Sequence, residues 1–162
     1  MALKRMLIAT LLAFALDRLS KLVIVEWANL KQIGYIQFWD PYLNFAMGWN
    51  RGVNFGLFAG HEEWPRWGLV LLALVICIWV VWWAKAQTGR WMHWGAGLVV
   101  GGALGNVWDR VQYGAVADYL NMSCCGIRNP YTFNVADIFI FAGAGILIVL
   151  SGRDTDRAKD GA

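Results

Sequence analysis

Charge is scarce in this 162-residue chain: 15% of its residues are Asp, Glu, Lys or Arg, whereas 59% are hydrophobic and eleven are Trp. So few charges cannot cover a water-soluble domain of this size, which excludes an ordinary soluble globule and points to lipid as the solvent. Basic stripes are also missing, and the net charge of +3 is too modest and too scattered for nucleic acid to be an expected partner. It suits an anionic membrane face instead. The three cysteines make no disulfide framework, because Cys77 stands inside an apolar run and Cys124 and Cys125 are adjacent; there is neither a C-x-x-C nor a His/Cys ligand pattern. Cys124 and Cys125 read as small loop residues. Of the two histidines, His61 opens His61-Glu62-Glu63, which is not H-E-x-x-H, and His93 stands alone beside Trp94. Both read as loop or interfacial residues, and no metal is expected. Long repeats and low-complexity tracts are absent as well.

What the chain does have is four apolar stretches, at about residues 6–25, 67–84, 94–111 and 135–150. Each approaches the roughly 20 residues that a helix needs to cross about 30 Å of hydrocarbon. The last is short, so its flanks must contribute or the bilayer must thin there. The N-terminal stretch carries Ala13-Phe14-Ala15, which superficially matches the cleavage site of a secretory signal. Apolar sequence continues to Val25, however, which favours an uncleaved first span. Lys4 and Arg5, then Lys85 and Arg90, then Arg153, Arg157 and Lys159 all fall on one side of four spans. Basic loops stay cytoplasmic, so both termini are expected inside, with outer loops at about 26–66 and 112–134. The expectation is one integral-membrane domain over residues 1–162: a mainly α membrane protein with four transmembrane helices.

The first outer loop is patterned. Leu43, Phe45, Met47 and Trp49 alternate with Asn44, Ala46, Gly48 and Asn50, Arg51-Gly52 reads as a turn, and Val53, Phe55 and Leu57 resume the alternation. Period two with one apolar face predicts a small β-sheet or hairpin lying at the membrane interface. In the third span Gly97, Gly101 and Gly105 recur every four residues, so they share one helix face that another helix can approach closely. Ala142 and Gly145 offer a similar small surface on the fourth. The tail after Ser151 reads as a short, solvated, charged end.

Ionisable groups in or beside such spans require a partner or a task, since each costs about 2.5–3.5 kcal/mol at mid-helix on insertion scales. Asp17 and Lys21 are four apart and share a face, which fits either a structural ion pair or substrate contact. Asn106, Asp109 and Arg110 form one polar patch at the outward end of the third span, where Arg110 could neutralise Asp109 or reach a lipid phosphate. Asp118 follows in the outer loop, and Asn134 and Asp137 open the fourth span, where the helix dipole favours negative charge. Two carboxylates brought together cannot both ionise easily, so Asp118 and Asp137 could share a proton as acid and base. Helix-capping acids or the proton sites of a transporter would fit the same spacing.

Five blocks in order narrow this: Asp17-Arg18-Leu19-Ser20-Lys21, Asn50-Arg51-Gly52-Val53-Asn54-Phe55, Gly101 to Arg110, Val116-Ala117-Asp118-Tyr119 and Phe133-Asn134-Val135-Ala136-Asp137. Together they resemble the lipoprotein signal peptidases (signal peptidase II). That resemblance implies a catalytic dyad of Asp118 and Asp137, with Asp17, Lys21, Asn50, Gly52, Asn106, Asp109, Arg110 and Asn134 as substrate-binding or dyad-supporting residues. It implies an interfacial sheet, or cradle, in the first outer loop, and a short outer helix that helps enclose the substrate. It also implies an aspartic endopeptidase of the bacterial inner membrane, its active site toward the outer face, cutting a prolipoprotein just before a cysteine that already carries diacylglycerol.

The implied chemistry activates water and needs no metal or organic cofactor. The expected partners are lipid-modified prolipoproteins and membrane lipids, with the enzyme acting as a monomer. This chain departs from the family pattern at Asn54, Ala117, Tyr119 and the Cys124-Cys125 loop, none of which touches the two aspartates. The competing readings are a small multi-pass transporter or proton relay using Asp17, Asp109, Asp118 and Asp137, and a catalytically silent relative.

Overall fold

The computed structural model describes residues 2–52, 63–127 and 129–160, with 152–160 as backbone only. Four long helices dominate: α1 (Ala2–Lys21), α3 (Trp64–Lys85), α4 (Arg90–Tyr113) and α5 (Val135–Asp160). A π-helical turn, Leu22–Trp27, prolongs α1, and a single-turn helix α2 (Leu30–Ile33) follows. Helices α3, α4 and α5, and α1 together with its π-helical turn, outrun the apolar stretches that announce them, because charged and polar ends continue the backbone ladder. The clearest case is α5, whose helix runs on through the charged tail to Asp160, where the sequence reads as a solvated end.

Helix α4 is the centre of the bundle, with α1, α3 and α5 packed against it. Its glycines explain how. A Cβ at Gly97 would lie 2.5 Å from the Met6 carbonyl, one at Gly101 2.5 Å from that of Thr10, and one at Gly105 2.7 Å from the Asp17 carboxylate. The predicted glycine face therefore takes α1 at backbone contact, and the Thr10 hydroxyl donates to the Gly97 carbonyl across it. A second small face receives α5, with Gly102 against the Ala136 carbonyl and Gly95 against Gly143. The expected small surface of Ala142 and Gly145 is not the one used: both are exposed, because the turn of α5 that meets α4 presents Ala136, Ile140 and Gly143 instead.

The outward faces are apolar. Leu7, Leu11, Leu16, Ile78, Trp82, Phe141 and Ile148 are all exposed, the reverse of the arrangement in water. Among the described residues one helix, α3, is by itself long and apolar enough to cross a membrane, and Val135–Ser151 forms a shorter apolar helix. In α1 and α4 the apolar run is interrupted by charges that, as the next subsection describes, face one another.

The sheet is antiparallel in the order β1-β2-β3, built from β1 (Tyr35–Trp39), β2 (Leu43–Asn50) and β3 (Val116–Asn121). The strand over Leu43–Asn50 is therefore as the alternation predicts, but the sheet does not belong to the first outer loop alone. Its third strand comes from the segment after α4, pairing Gly48 with Asp118, Trp49 with Ala117 and Asn50 with Val116. Continuation of the pattern through Val53, Phe55 and Leu57 lies outside the described residues. Phe45 and Met47 turn their alternate face onto Val25, Leu30, Ala117 and Tyr119, a small core that seats the sheet on the end of α1. Helix α4 stops at Gly114, whose φ of +78° allows its N–H to reach the Arg110 carbonyl. That turn sends the chain directly into β3.

Candidate active site

Asp118 lies on β3 and Asp137 in the first turn of α5, and two asparagines join them. Asn134 is the pivot. Its side-chain amide donates to Asp118 Oδ1 at 2.5 Å and to Asn106 Oδ1 at 3.3 Å, while Asn106 Nδ2 donates to Asp137 Oδ1 at 2.9 Å. Asn134 and Asp137 also exchange backbone bonds: the Asn134 N–H reaches Asp137 Oδ2 at 3.2 Å, and the Asp137 N–H reaches Asn134 Oδ1 at 3.0 Å. This is a capping box with Asp in place of Glu, so starting the helix and aiming the carboxylate are one event.

From the other side, Asn50 Nδ2 donates to Asp118 Oδ2 at 3.1 Å. Strand alternation places Gly48 and Asn50 on the face that Asp118 shares, and Asn50 reaches it along the diagonal of the pairing. Gly48 leaves that face open, since a Cβ there would collide with the Thr132 hydroxyl. The Asn50 side-chain Oδ1 in turn accepts the Gly52 N–H at 2.9 Å, an Asx turn at a glycine with φ +98°. Burial, opposed by the amides of Asn134 and Asn50 and reinforced by the charge of Asp137, raises the Asp118 carboxyl from 3.8 to about 6. A carboxylic acid placed there keeps its proton well above the usual range.

Asp17 and Asp109 are treated differently. Both are completely buried, and so is Lys21. Lys21 Nζ sits 2.9 Å from Asp17 and 2.6 Å from Asp109, and Arg18 bridges the same two carboxylates at 2.5 and 2.6 Å. Two cations thus neutralise two anions in a space that Gly105 keeps open. The remaining lone pairs are spent on backbone: Asp109 Oδ2 accepts the Ala117 N–H and Asp17 Oδ1 accepts the Ala136 N–H, each at 3.0 Å. Ala117 and Ala136 are the residues immediately before Asp118 and Asp137. The buried ion cluster therefore grips the backbone one residue ahead of each member of the candidate dyad.

The structure gathers Asp118, Asp137, Asn50, Asn106 and Asn134 into one network, with Gly52 at its edge. Asp17, Lys21 and Asp109 form the adjoining cluster, so the ion-pair reading of Asp17 and Lys21 matches their geometry. Arg110 does not neutralise Asp109, because Arg18 and Lys21 occupy that carboxylate. Its guanidinium instead donates to the Asn106 carbonyl at 3.3 Å, within electrostatic range of Asp118, Asp109 and Asp137. Sequence reasoning assigned no task to Arg18, although its place beside Asp17 in an apolar helix is the signal that it needs an anionic partner. Tyr119 and Ser20 were also missed. The buried Tyr119 hydroxyl donates to Ser20 Oγ at 2.6 Å and the Ser20 hydroxyl to the Asp17 carbonyl at 2.8 Å, tying β3 to α1.

Known proteins resemble this chain over most of its length. The family described as signal peptidase (SPase) II matches residues 9–152. A lipoprotein signal peptidase of Aeromonas hydrophila is 38% identical over 160 residues, covering 96% of this chain and 92% of that one. One of Methylorubrum extorquens is 41% identical over 154 residues, with 94% and 88% covered. Among solved structures, a bacterial membrane enzyme determined by the in meso method at 1.9 Å resolution superposes with a TM-score of 0.75 at 25% identity, covering 90% of each chain. A second, at 2.3 Å resolution, gives the same TM-score at 24% identity over 94% of this chain and 90% of the other. A match that runs from α1 into α5 includes both aspartates and both clusters around them, and on that extent of likeness this chain belongs to the signal peptidase II family of proteases.

Proposed function

We propose that this chain is an aspartic endopeptidase that removes the signal peptide from diacylglyceryl-modified prolipoproteins, cutting before the lipidated cysteine with a water activated by Asp118 and Asp137. The observation that carries the proposal is that amides alone bond these two carboxylates, with no ion-pair partner among the described residues. Neutral amide donors favour the carboxylate less strongly than a matched cation does, which leaves one proton free to be shared. Asp118, raised to about 6, keeps a proton to higher pH than an ordinary carboxyl and is the acid. Asp137, at the positive end of α5, is the base.

In the cycle Asp137 takes a proton from water as the oxygen attacks the peptide carbonyl, while Asp118 protonates the oxyanion. The tetrahedral diol then collapses: Asp137 gives its proton to the leaving amine and Asp118 recovers one from the diol hydroxyl. Both groups return to their starting states, and neither metal nor cofactor enters. Asn50, Asn106 and Asn134 orient the dyad directly, with Gly52 completing the turn at Asn50. Asp17, Lys21 and Asp109 support it through the backbone, and Arg110 supplies positive charge at its border.

The same reading makes residues 1–162 one domain with four spans, both termini in the cytoplasm and the dyad near the outer face of the inner membrane. The three-stranded sheet rests there at the interface. A lipid-anchored substrate reaches such a site sideways from the bilayer, water enters from outside, and the enzyme works as a monomer among membrane lipids. A transporter or proton relay is less well supported, since all four aspartates gather at one end of the helices and none continues a path across.

Purified protein in detergent, given a lipid-modified precursor, should release the signal peptide. A transporter or a silent relative would leave the precursor intact. Reporters fused after positions 85 and 159 should be cytoplasmic and one inserted near position 128 external; an external tail would contradict four spans.

A further inference from the structure

Between β3 and α5 the chain makes a fastened excursion whose tip carries two adjacent thiols. Asn121 Nδ2 donates to the carbonyls of Asn129 and Tyr131 at 2.8 and 3.0 Å, the Asn129 N–H reaches Ser123 Oγ at 3.0 Å, and the Ser123 N–H reaches the Tyr42 carbonyl at 3.3 Å. Above these fastenings Cys124, Cys125, Gly126 and Ile127 form a tight turn. The Ile127 N–H bonds the Cys124 carbonyl at 2.9 Å, and φ is +60° at Cys125 and +80° at Gly126. Two successive positive φ values are the pattern of a type I′ turn. Gly126 takes its place without strain, whereas Cys125 has a Cβ where L-residues rarely sit. This backbone brings the two Sγ atoms to 2.7 Å, both exposed, while Cys77 is buried.

We propose that Cys124 and Cys125 are an intraloop redox couple that closes to a vicinal disulfide on oxidation, in place of forming a disulfide with another chain. The oxidant is an ordinary disulfide, small-molecule or protein. One cysteine, as thiolate, attacks a sulfur of that disulfide and releases one thiol. The neighbouring sulfur, losing its proton, then displaces the second thiol. Two electrons pass from the pair to the incoming disulfide, and one intraloop S–S bond replaces it. The second step is intramolecular, between sulfurs already in contact, so it outruns capture by a second chain.

The closed form is also easy to reopen. Adjacent Cα atoms lie about 3.8 Å apart across a trans peptide, short of the about 4.4 Å at which protein disulfides ordinarily begin, and strained disulfides are the more readily reduced. The outward side of this loop belongs to the topology proposed above, whereas the couple itself does not depend on cleavage.

The experiment treats purified, folded protein with oxidised glutathione, then counts alkylatable thiols, measures intact mass and runs a non-reducing gel. The wild type should lose both exposed thiols and the mass of two hydrogen atoms, stay monomeric, and recover fully with a mild reductant. Cys77 should behave alike before and after. Cys125→Ser and Cys124→Ser should each carry a glutathionyl group or link into dimers instead. A wild type that retains two free thiols, or that gathers adducts or dimers as fast as the single-serine variants, would overturn the proposal. Because signal-peptide release is not the readout, failure here is separable from failure of the peptidase reading.

Discussion

Four aspartates meet at one end of this bundle, and the structure treats them as two pairs. Asp17 and Asp109 face Arg18 and Lys21, with every contact charge-assisted and all but Arg18 sealed from solvent. Asp118 and Asp137 face Asn50, Asn106 and Asn134, and no cation bonds either one among the described residues. Matched cations fix a carboxylate as an anion, which makes it a strut. Neutral amides favour the anion less strongly, which leaves the carboxyl able to exchange a proton. The two pairs therefore differ in their partners, cations for Asp17 and Asp109 and amides for Asp118 and Asp137, and the amide-held pair is the proposed dyad.

The largest expected effects test that separation in turnover. Asp118→Asn or Asp137→Asn keeps the side chain's size at the loss of one accepted amide bond and removes the exchangeable proton, so cleavage should fall by about 10²- to 10⁴-fold, measured per folded molecule. The double variant should be little worse than either alone, since the pair acts as a unit. A double variant slower by the product of the two single effects would break the idea of a shared proton.

Next comes the ion cluster, whose losses should appear in stability. Lys21→Ala strands two buried carboxylates with one cation, and breaking such a pair costs about 3–5 kcal/mol. Denaturant or thermal unfolding in detergent should register that drop, with turnover per folded molecule reduced less than by a dyad change. Arg18→Gln, at a side chain that is partly exposed, should lose less, about 1.5–3 kcal/mol for hydrogen bonds to charged groups.

The smaller predictions concern pH. Asp118 is raised to about 6, so as the acid it is protonated below that value and loses its proton above it. Turnover should decline as pH rises through about 6. The same proton makes a contribution to stability that is complete below 3.8, where the unfolded carboxyl is protonated too, and is lost as pH rises through about 6. Asn50 donates to the charged form and holds the value down; Asn50→Ala should therefore move the alkaline limb to higher pH, and a shift to lower pH would contradict the assignment.

Much of this was legible in the sequence because it is local. Apolar runs give the helices, a four-residue glycine spacing gives the α1 face of α4, and the F-N-x-A-D block gives the capping box, since Asn134 and Asp137 are three apart. What was not legible depends on contacts between distant segments. Arg110 stands beside Asp109 in sequence, yet adjacent helical residues point in different directions, and the cations that reach Asp109 come from α1, where Gly105 lets the two backbones close. Likewise β3 finds its partner 68 residues away, at the Asn50 to Asp118 contact, so nothing in Val116–Asn121 alone announces that the sheet draws on the segments before α3 and after α4. On α5 the expected small face was misplaced for the same reason: Gly145 is as small as Gly143 and Ala142 is larger by one methyl, and the packing decides which face of the helix meets α4.

One experiment tests the central claim most directly: Asn at each of the four aspartates in turn, with thermal unfolding and cleavage of a lipid-modified precursor measured on the same purified samples. A crossed pattern is expected, with Asp17→Asn and Asp109→Asn losing stability while their folded fraction retains measurable cleavage, and Asp118→Asn and Asp137→Asn remaining folded while cleavage collapses. Near-normal cleavage by folded Asp118→Asn or Asp137→Asn protein would contradict it.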